Sequence, residues 1–226
     1  MLVFVAAEIR ELNGFLAHLT HLETPGWPIE YVRSALWGDR PVILAANGPG
    51  PKLAGVAAGV VHENAKIDAL ISTGFCGGLA PELRPKAIFV ATTVNGTVAN
   101  QPQSPHHFFS GPLVSQDRVA VTMEEKRKLR ESGAMAVEME AGAVAARASS
   151  WSVPFYCVRV VTDTAEEKLP VDFNEFRDAQ GRFSRKRIAV AALKRPFHLI
   201  PELMKLDARC NKASTVLGDF LADCRF

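Results

Sequence analysis

The sequence predicts an α/β layer fold with a largely parallel sheet, and three observations carry that expectation. Short apolar runs alternate with helix-like stretches along the chain. Several of those runs end in glycines or acids, as strands do where a sheet meets a ligand. Hydrophobic residues make up 48% of 226 residues, enough for one sizeable core in one domain or a tight two-lobed one.

Taken in order, Leu2–Ala6 (LVFVA) reads as a buried first strand, followed by a helical pattern from Glu8 to about His21. Tyr31–Leu36 and Pro41–Ala46 read as a strand pair around Gly38-Asp39. Gly48-Pro-Gly-Pro is a turn, and Lys52–Glu63 is a helix rich in alanine and valine. Ala69–Thr73 is a short strand ending in Gly74-Phe-Cys-Gly-Gly, and Ala87–Val94 is another strand. Residues 95–112 (NGTVANQPQSPHHFFSGP) are rich in Asn, Gln, Pro and Ser and read as a loop. Met123–Ser132 is a charged helix, Ala141–Ser150 a second helix, Phe155–Val161 a buried strand, and Asp172 onward mostly helical. There is no internal repeat and no low-complexity tract.

Composition narrows the classes. No apolar stretch reaches the roughly 18 residues needed to span a bilayer, and the start MLVFVAAEIREL lacks the basic region and cleavage site of a signal peptide. Cysteines stand at 76, 157, 210 and 224 with no CxxC pair, so reduced thiols in a cytoplasm are expected rather than a zinc knuckle or redox motif. His106-His107 has no third ligand at metal spacing, and no metal is expected. The net charge of +2 hides an asymmetry, since residues 177–226 carry 11 Lys/Arg against 5 Asp/Glu. A basic tail on a mildly acidic body suits either a surface that meets phosphates or anionic lipid, or a solvated helical face.

Parallel neighbouring strands would gather their carboxyl ends on one rim. Glu8, Arg10 and Glu11 follow the first strand, Gly74–Gly78 follow Ala69–Thr73, and Thr162-Asp163 follow Phe155–Val161. Glu138 and Glu140 precede a helix and can join the same rim. Each has a purely structural reading beside the functional one. Asp163 suits an N-cap for a following helix, Glu138 and Glu140 suit first-turn acids, and the glycines suit a tight turn. The glycine stretch is neither a Walker loop nor GxGxxG.

VEMEAGAVA followed by VPFYCVRVVTDTA resembles the signature of the nucleoside phosphorylase/nucleosidase superfamily, in particular its 5′-methylthioadenosine/S-adenosylhomocysteine nucleosidases. STGFCGGLAPELRP, NGPGPKLAGVAAG and LVSQDRVAVT resemble further segments of that family, in family order over roughly residues 1–165. The resemblance implies a single three-layer α/β/α domain over 1–226 with a central mixed, largely parallel twisted sheet and a basic helical extension from about 177. It implies Asp163 as the acid at N7 of the departing purine, Thr162 and Arg159 beside it, and Met139, Glu140 and Glu138 under the ribose. It implies Glu11 as the carboxylate that activates water, Gly74, Phe75, Cys76 and Gly77 as the glycine-rich wall, and Val119 and Ala120 flanking the base. No cofactor is implied beyond inorganic phosphate if the enzyme is a phosphorylase. The partners implied are a purine nucleoside and a second copy of the chain, with nucleic acid excluded.

Departures from the nucleosidases are a shorter middle between Gly78 and Glu138 and a longer tail. The tail segment LKRPFHLIPELMKLDAR resembles the hopanoid-associated phosphorylases, which implies adenine release from an adenosylated hopane and peripheral contact with the inner membrane face. The chemistry explains the residue types. Breaking an N-glycosidic bond places positive charge on the sugar and negative charge on the purine, so one acid serves the base and another the sugar. Asp163, after a buried strand, would act as an acid if burial kept it protonated. Glu11 favours water as nucleophile; phosphate remains open, with Arg10, Arg33, Arg40 and the Gly74–Gly78 amides as its possible donors. A nucleoside-binding module without turnover and a peripheral membrane protein led by the tail are the competing classes.

Overall fold

The computed structural model describes residues 1–226. In chain order its elements are β1 (Leu2–Ala6), α1 (Ile9–Leu16), β2 (Thr20–Glu23), β3 (Tyr31–Trp37), β4 (Arg40–Ala46), α2 (Pro51–Asn64), β5 (Ala69–Gly78) and β6 (Ile88–Val94). There follow β7 (Thr97–Val98), β8 (Phe109–Ser115), α3 (Met123–Glu131), β9 (Ala136–Glu138), α4 (Ala141–Trp151), β10 (Phe155–Asp163), a 3₁₀ turn at Phe173–Phe176, α5 (Arg185–Lys194) and α6 (Pro196–Ala222).

The strands form one mixed sheet in the order β10-β6-β8-β9-β5-β1-β4-β3-β2, with β7 paired to β6. β10 also pairs with β5 in parallel, so β5, β10, β6, β8 and β9 close into a small ring and the remaining strands fan out from it. β1 is parallel to both β4 and β5. Helices cover both faces, which is the expected three-layer arrangement. One core buries Ala54, Ala57, Ala58 and Val61 of α2 with Ala141, Val144, Ala145 and Ala148 of α4. The opposite core buries Leu12 and Phe15 of α1 with Ala213, Leu217, Phe220 and Leu221 of α6. Alanines on the first face let helices lie close on the sheet. On the second, α1 and α6 meet backbone to backbone at Gly14 and Gly218, where a Cβ on Gly218 would fall 2.0 Å from the carbonyl carbon of Gly14. This crossing seats the tail helix against the mouth of the first strand.

Several sequence expectations are corrected. The helix drawn to about His21 ends at Leu16, and Thr20–Glu23 instead forms an edge strand on β3; an exposed, β-branched start suits an edge better than a fourth turn of helix. The glycine stretch after Thr73 is not a turn but the continuation of β5 to Gly78, because absent side chains let β9 and β10 pair closely on either side. The 95–112 loop contains a hairpin and the start of β8. Asn95 (φ 47°) and Gly96 (φ 83°) form the two-residue turn between Val94 and Thr97, the turn that Asn-Gly favours. Residues 164–184 are irregular apart from the 3₁₀ turn, so helix resumes at Arg185 rather than at Asp172. No helix follows Asp163, so it caps none; it closes β10. Glu138 does serve the helix after it, accepting hydrogen bonds from the Glu140 and Ala141 amides at 2.9 Å. No helix is long and apolar enough to cross a membrane.

Candidate active site

Parallel β1, β5 and β10 end on one rim, and a cavity of about 210 Å³ opens there. Asp163, Glu11, Met139, Glu140, Glu138, Thr162, Phe75, Cys76, Gly77, Val119 and Ala120 all line it. Gly74 and Arg159 lie beneath the lining, in the floor.

Glu11 stands in the first turn of α1, where the turn after β1 brings it back over the strand end. Its Oε2 accepts the amides of Ala7 (2.8 Å) and Glu8 (2.9 Å), and its Oε1 accepts the Phe75 amide (2.8 Å). Three backbone donors from two strand ends therefore converge on one carboxylate. Burial raises its pKa, against these hydrogen bonds and the attraction of Arg159.

Arg159 is fully buried, with Nη2 bonded to Glu138 (2.5 Å) and to Ser72 Oγ (2.6 Å). Burial disfavours its charge, but Glu138 and the other acids around it outweigh that and hold the guanidinium above its ordinary range. Its Nε and Nη1 have no protein partner. Over Gly74 (φ 141°), a Cβ would fall 2.5 Å from Glu11 Oε1 and 2.8 Å from Arg159 Nη1. Only glycine leaves room here for Glu11 and Arg159 to close over the same stretch of backbone.

Glu140 is 5% exposed and accepts the Gly50 amide at Oε1 (2.8 Å). Burial, then repulsion from Glu138 and Glu11, pushes its pKa to about 8, so near neutrality its carboxyl retains a proton to donate. Gly50 (φ 95°) belongs to the Gly48-Pro-Gly-Pro turn, and its left-handed backbone aims that amide inward.

Asp163 sits across the cavity. Its Oδ2 pairs with Lys126 Nζ (2.5 Å) and its Oδ1 accepts the Thr162 hydroxyl (3.0 Å). Asp163 is 8% exposed, and the fully buried Lys126 faces it. Val119 is held through both its backbone groups by the Asn174 amide, at 2.8 and 3.0 Å. The cavity also takes Leu169, Phe173, Phe183, Leu206 and Cys210 from the segment after Asp163.

Sequence reasoning missed Lys126, Asn174 and these apolar walls. MEEKRKLRE marks Lys126 no differently from exposed Lys128, whereas Phe173 and Asn174 in DFNEF lay in a stretch read as helix. No group of three or more His, Cys, Asp or Glu is arranged to hold a metal; His106 instead pairs with Asp223 at 2.7 Å.

The phosphorylase superfamily model matches residues 2–122 and 104–194. A Staphylococcus aureus 5′-methylthioadenosine/S-adenosylhomocysteine nucleosidase is 28% identical over 171 residues, 61% of this chain and 75% of that protein. The Neisseria meningitidis nucleosidase, solved with methylthio-immucillin-A, superposes with a TM-score of 0.73 at 18% identity, covering 98% of this chain and 96% of that one. A Helicobacter pylori futalosine hydrolase mutant superposes with a TM-score of 0.71 at 16% identity, over 98% and 96% of the two chains. The matched segments contain β1, β5, β9 and β10, the strands whose ends frame the cavity, and the chain belongs to the phosphorylase superfamily.

Proposed function

We propose that this protein is a purine nucleosidase that releases adenine from a 5′-substituted adenosine, with water as the nucleophile. The observation that carries the reading is Glu11, a buried carboxylate that lines the cavity with both oxygens fixed by the Ala7, Glu8 and Phe75 amides. A water in the cavity donates to Glu11, which takes its proton as the oxygen attacks C1′. The Ala7, Glu8 and Phe75 amides, which could cradle an anion, are already taken by the Glu11 carboxylate. A phosphate would have to displace it, which disfavours phosphorolysis. Glu140 binds the ribose hydroxyls, Met139 packs under the sugar, and the Asp163 carboxyl gives a proton to N7 of the purine as the C1′–N9 bond breaks. The relatives are named for cleaving such nucleosides, and a solved neighbour holds a nucleoside-like inhibitor.

The test is release of free base from methylthioadenosine, S-adenosylhomocysteine, adenosine, inosine and an adenosylated hopane, with and without phosphate. A protein that binds these ligands but never frees a base is a binding module, and the reading fails.

For the finer substrate we propose a lipid-linked adenosine. The walls added by Leu169, Phe173, Phe183 and Leu206 are apolar. On α5 and α6, Val190, Leu193, Phe197 and Met204 are exposed, Phe197 by 88%, beside Lys186, Arg187, Lys194, Arg195 and Lys205. Such a basic, apolar surface suits peripheral contact with an anionic membrane. Co-sedimentation with phosphatidylglycerol vesicles but not phosphatidylcholine vesicles is expected, and its loss in Phe197→Asp; equal recovery with both would refute the contact. The four cysteines are unpaired, which suits a reducing compartment such as the cytoplasm. We also propose a homodimer through α2, which leaves Val56 exposed; a mass of one chain by light scattering would refute it.

A further inference from the structure

Lys126 is the one buried residue of α3 and is 0% exposed. Placing an ammonium out of water costs several kcal/mol unless it is fully paired, and leucine or methionine would fill the same volume without that cost. Here every N–H of the ammonium is used: Asp163 Oδ2 accepts at 2.5 Å, Thr164 O at 2.7 Å and Glu167 O at 2.8 Å. The lysine does not line the cavity; it reaches it only through Asp163.

The surroundings fix the pair from every side. Thr122 and Glu125 form a capping box at the start of α3, and Glu125 also accepts the Val121 amide (2.9 Å) beside Ala120 of the cavity wall. Arg209 of α6 donates to Thr162 O and to Glu167 Oε2, each at 2.9 Å, and Glu167 accepts the Thr164 amide (2.9 Å). Thr162 supplies a hydroxyl to the other oxygen of Asp163 (3.0 Å). Below the carboxylate lies Gly77, where a Cβ would fall 3.2 Å from Oδ2. The Asp163 carboxylate plane is thus set by a cation on one oxygen, a hydroxyl on the other and bare backbone beneath.

We propose that Lys126 is the positioning residue for the leaving-group side of the reaction: it fixes the Asp163 carboxyl against the departing base and acts on catalysis only through it. The proposal rests on the glycosidase reading above. Its consequence is selectivity by leaving group. A purine needs Asp163 as its bond breaks; a 4-nitrophenolate leaves without that help.

The experiment compares wild type, Lys126→Met, Lys126→Arg, Asp163→Asn and Lys126→Met/Asp163→Asn with a purine nucleoside and with a 4-nitrophenyl riboside. Misplacing a catalytic group by about 1 Å can cost on the order of 100-fold. The expected result is a roughly 10–100-fold fall in kcat for Lys126→Met on the purine substrate with KM changed less than about 3-fold. With the aryl riboside the loss is expected to be about 3-fold or less, Arg is expected to restore part of the purine activity, and adding Lys126→Met to Asp163→Asn is expected to cost little more. The double variant removes both charges together and keeps the test open if the single variant folds poorly. Equal losses on both substrates, full additivity with Asp163→Asn, or no loss at all would overturn the proposal. A wild-type protein that frees no base from any nucleoside would instead overturn the glycosidase reading on which it rests.

Discussion

Glu138→Gln is the most informative single change under the cavity. Glu138 is 6% exposed, and its partner Arg159 is 0% exposed. The carboxylate accepts one guanidinium bond at 2.5 Å and caps the Glu140 and Ala141 amides. Gln keeps a carbonyl oxygen for the helix start but removes the negative charge, so Arg159, already without partners at Nε and Nη1, becomes a buried cation left only with the more distant Glu11 and Glu140. Breaking a buried pair from one side costs about 3–5 kcal/mol. Because the cap survives, the lower end applies, about 3 kcal/mol. At about 2–4 °C per kcal/mol for a chain of this size, Tm should fall by roughly 6–12 °C. The assay is thermal unfolding by circular dichroism, with the urea midpoint as a check on an unchanged slope. Base release, measured well below the new Tm, should also fall, since a relaxed Arg159 no longer supports the cavity floor beneath Glu11 and Glu138. A Tm within about 2 °C of wild type would refute the view that this pair is the pedestal of the site.

Gly74→Ala should lose at least about 100-fold in base release, because its Cβ would fall 2.5 Å from Glu11 Oε1 and displace that carboxylate, and φ 141° is unfavourable for alanine; an active variant would show that Glu11 need not hold this position. Glu140, with a pKa raised to about 8 by burial and then by Glu138, binds its proton more tightly folded than unfolded. Stability should therefore fall as pH rises from near the ordinary carboxylate range through about 8. Glu140→Gln should flatten that slope between pH 6 and 9 in thermal scans and abolish tight ribose binding. Glu11→Ala frees the Ala7, Glu8 and Phe75 amides, so hydrolysis should drop roughly 100-fold or more, and phosphate should bind more tightly than to wild type in calorimetry. Burial pushes the Cys157 and Cys224 thiols to about 12, Cys210 to about 11 and Cys76 well above its usual range. All four should resist Ellman's reagent at pH 8 until urea unfolds the chain.

How much of this the sequence carried depends on whether a residue's partner was local. Leu2–Ala6 is a continuous apolar run and Phe155–Val161 one broken by Arg159, and both are central strands, β1 between parallel β4 and β5 and β10 between parallel β5 and antiparallel β6, where burial on both faces leaves an unmistakable pattern. Thr162-Asp163 and Glu140 fall just beyond such patterns, so their convergence was legible. Thr20–Glu23 and Ala136–Glu138 are strands only because β3, β5 and β8 offer them edges, and nothing in four or three residues announces a distant partner. The Asn95-Gly96 turn was printed in the sequence and hidden by the polar stretch around it. Lys126 is separated from Asp163 by 37 positions, and its neighbours in a charged helix give no hint that it points inward. Arg159 could be read as a site residue; that it lies beneath the cavity lining and holds Glu138 from below required coordinates.

The most direct measurement of the central claim follows base release and identifies the sugar product by mass spectrometry, using one 5′-substituted adenosine in phosphate-free buffer and again with millimolar phosphate. Adenine appearing at the same rate in both, with a free 5-substituted ribose as co-product, is the predicted result. Release that requires phosphate and yields a ribose 1-phosphate would contradict it.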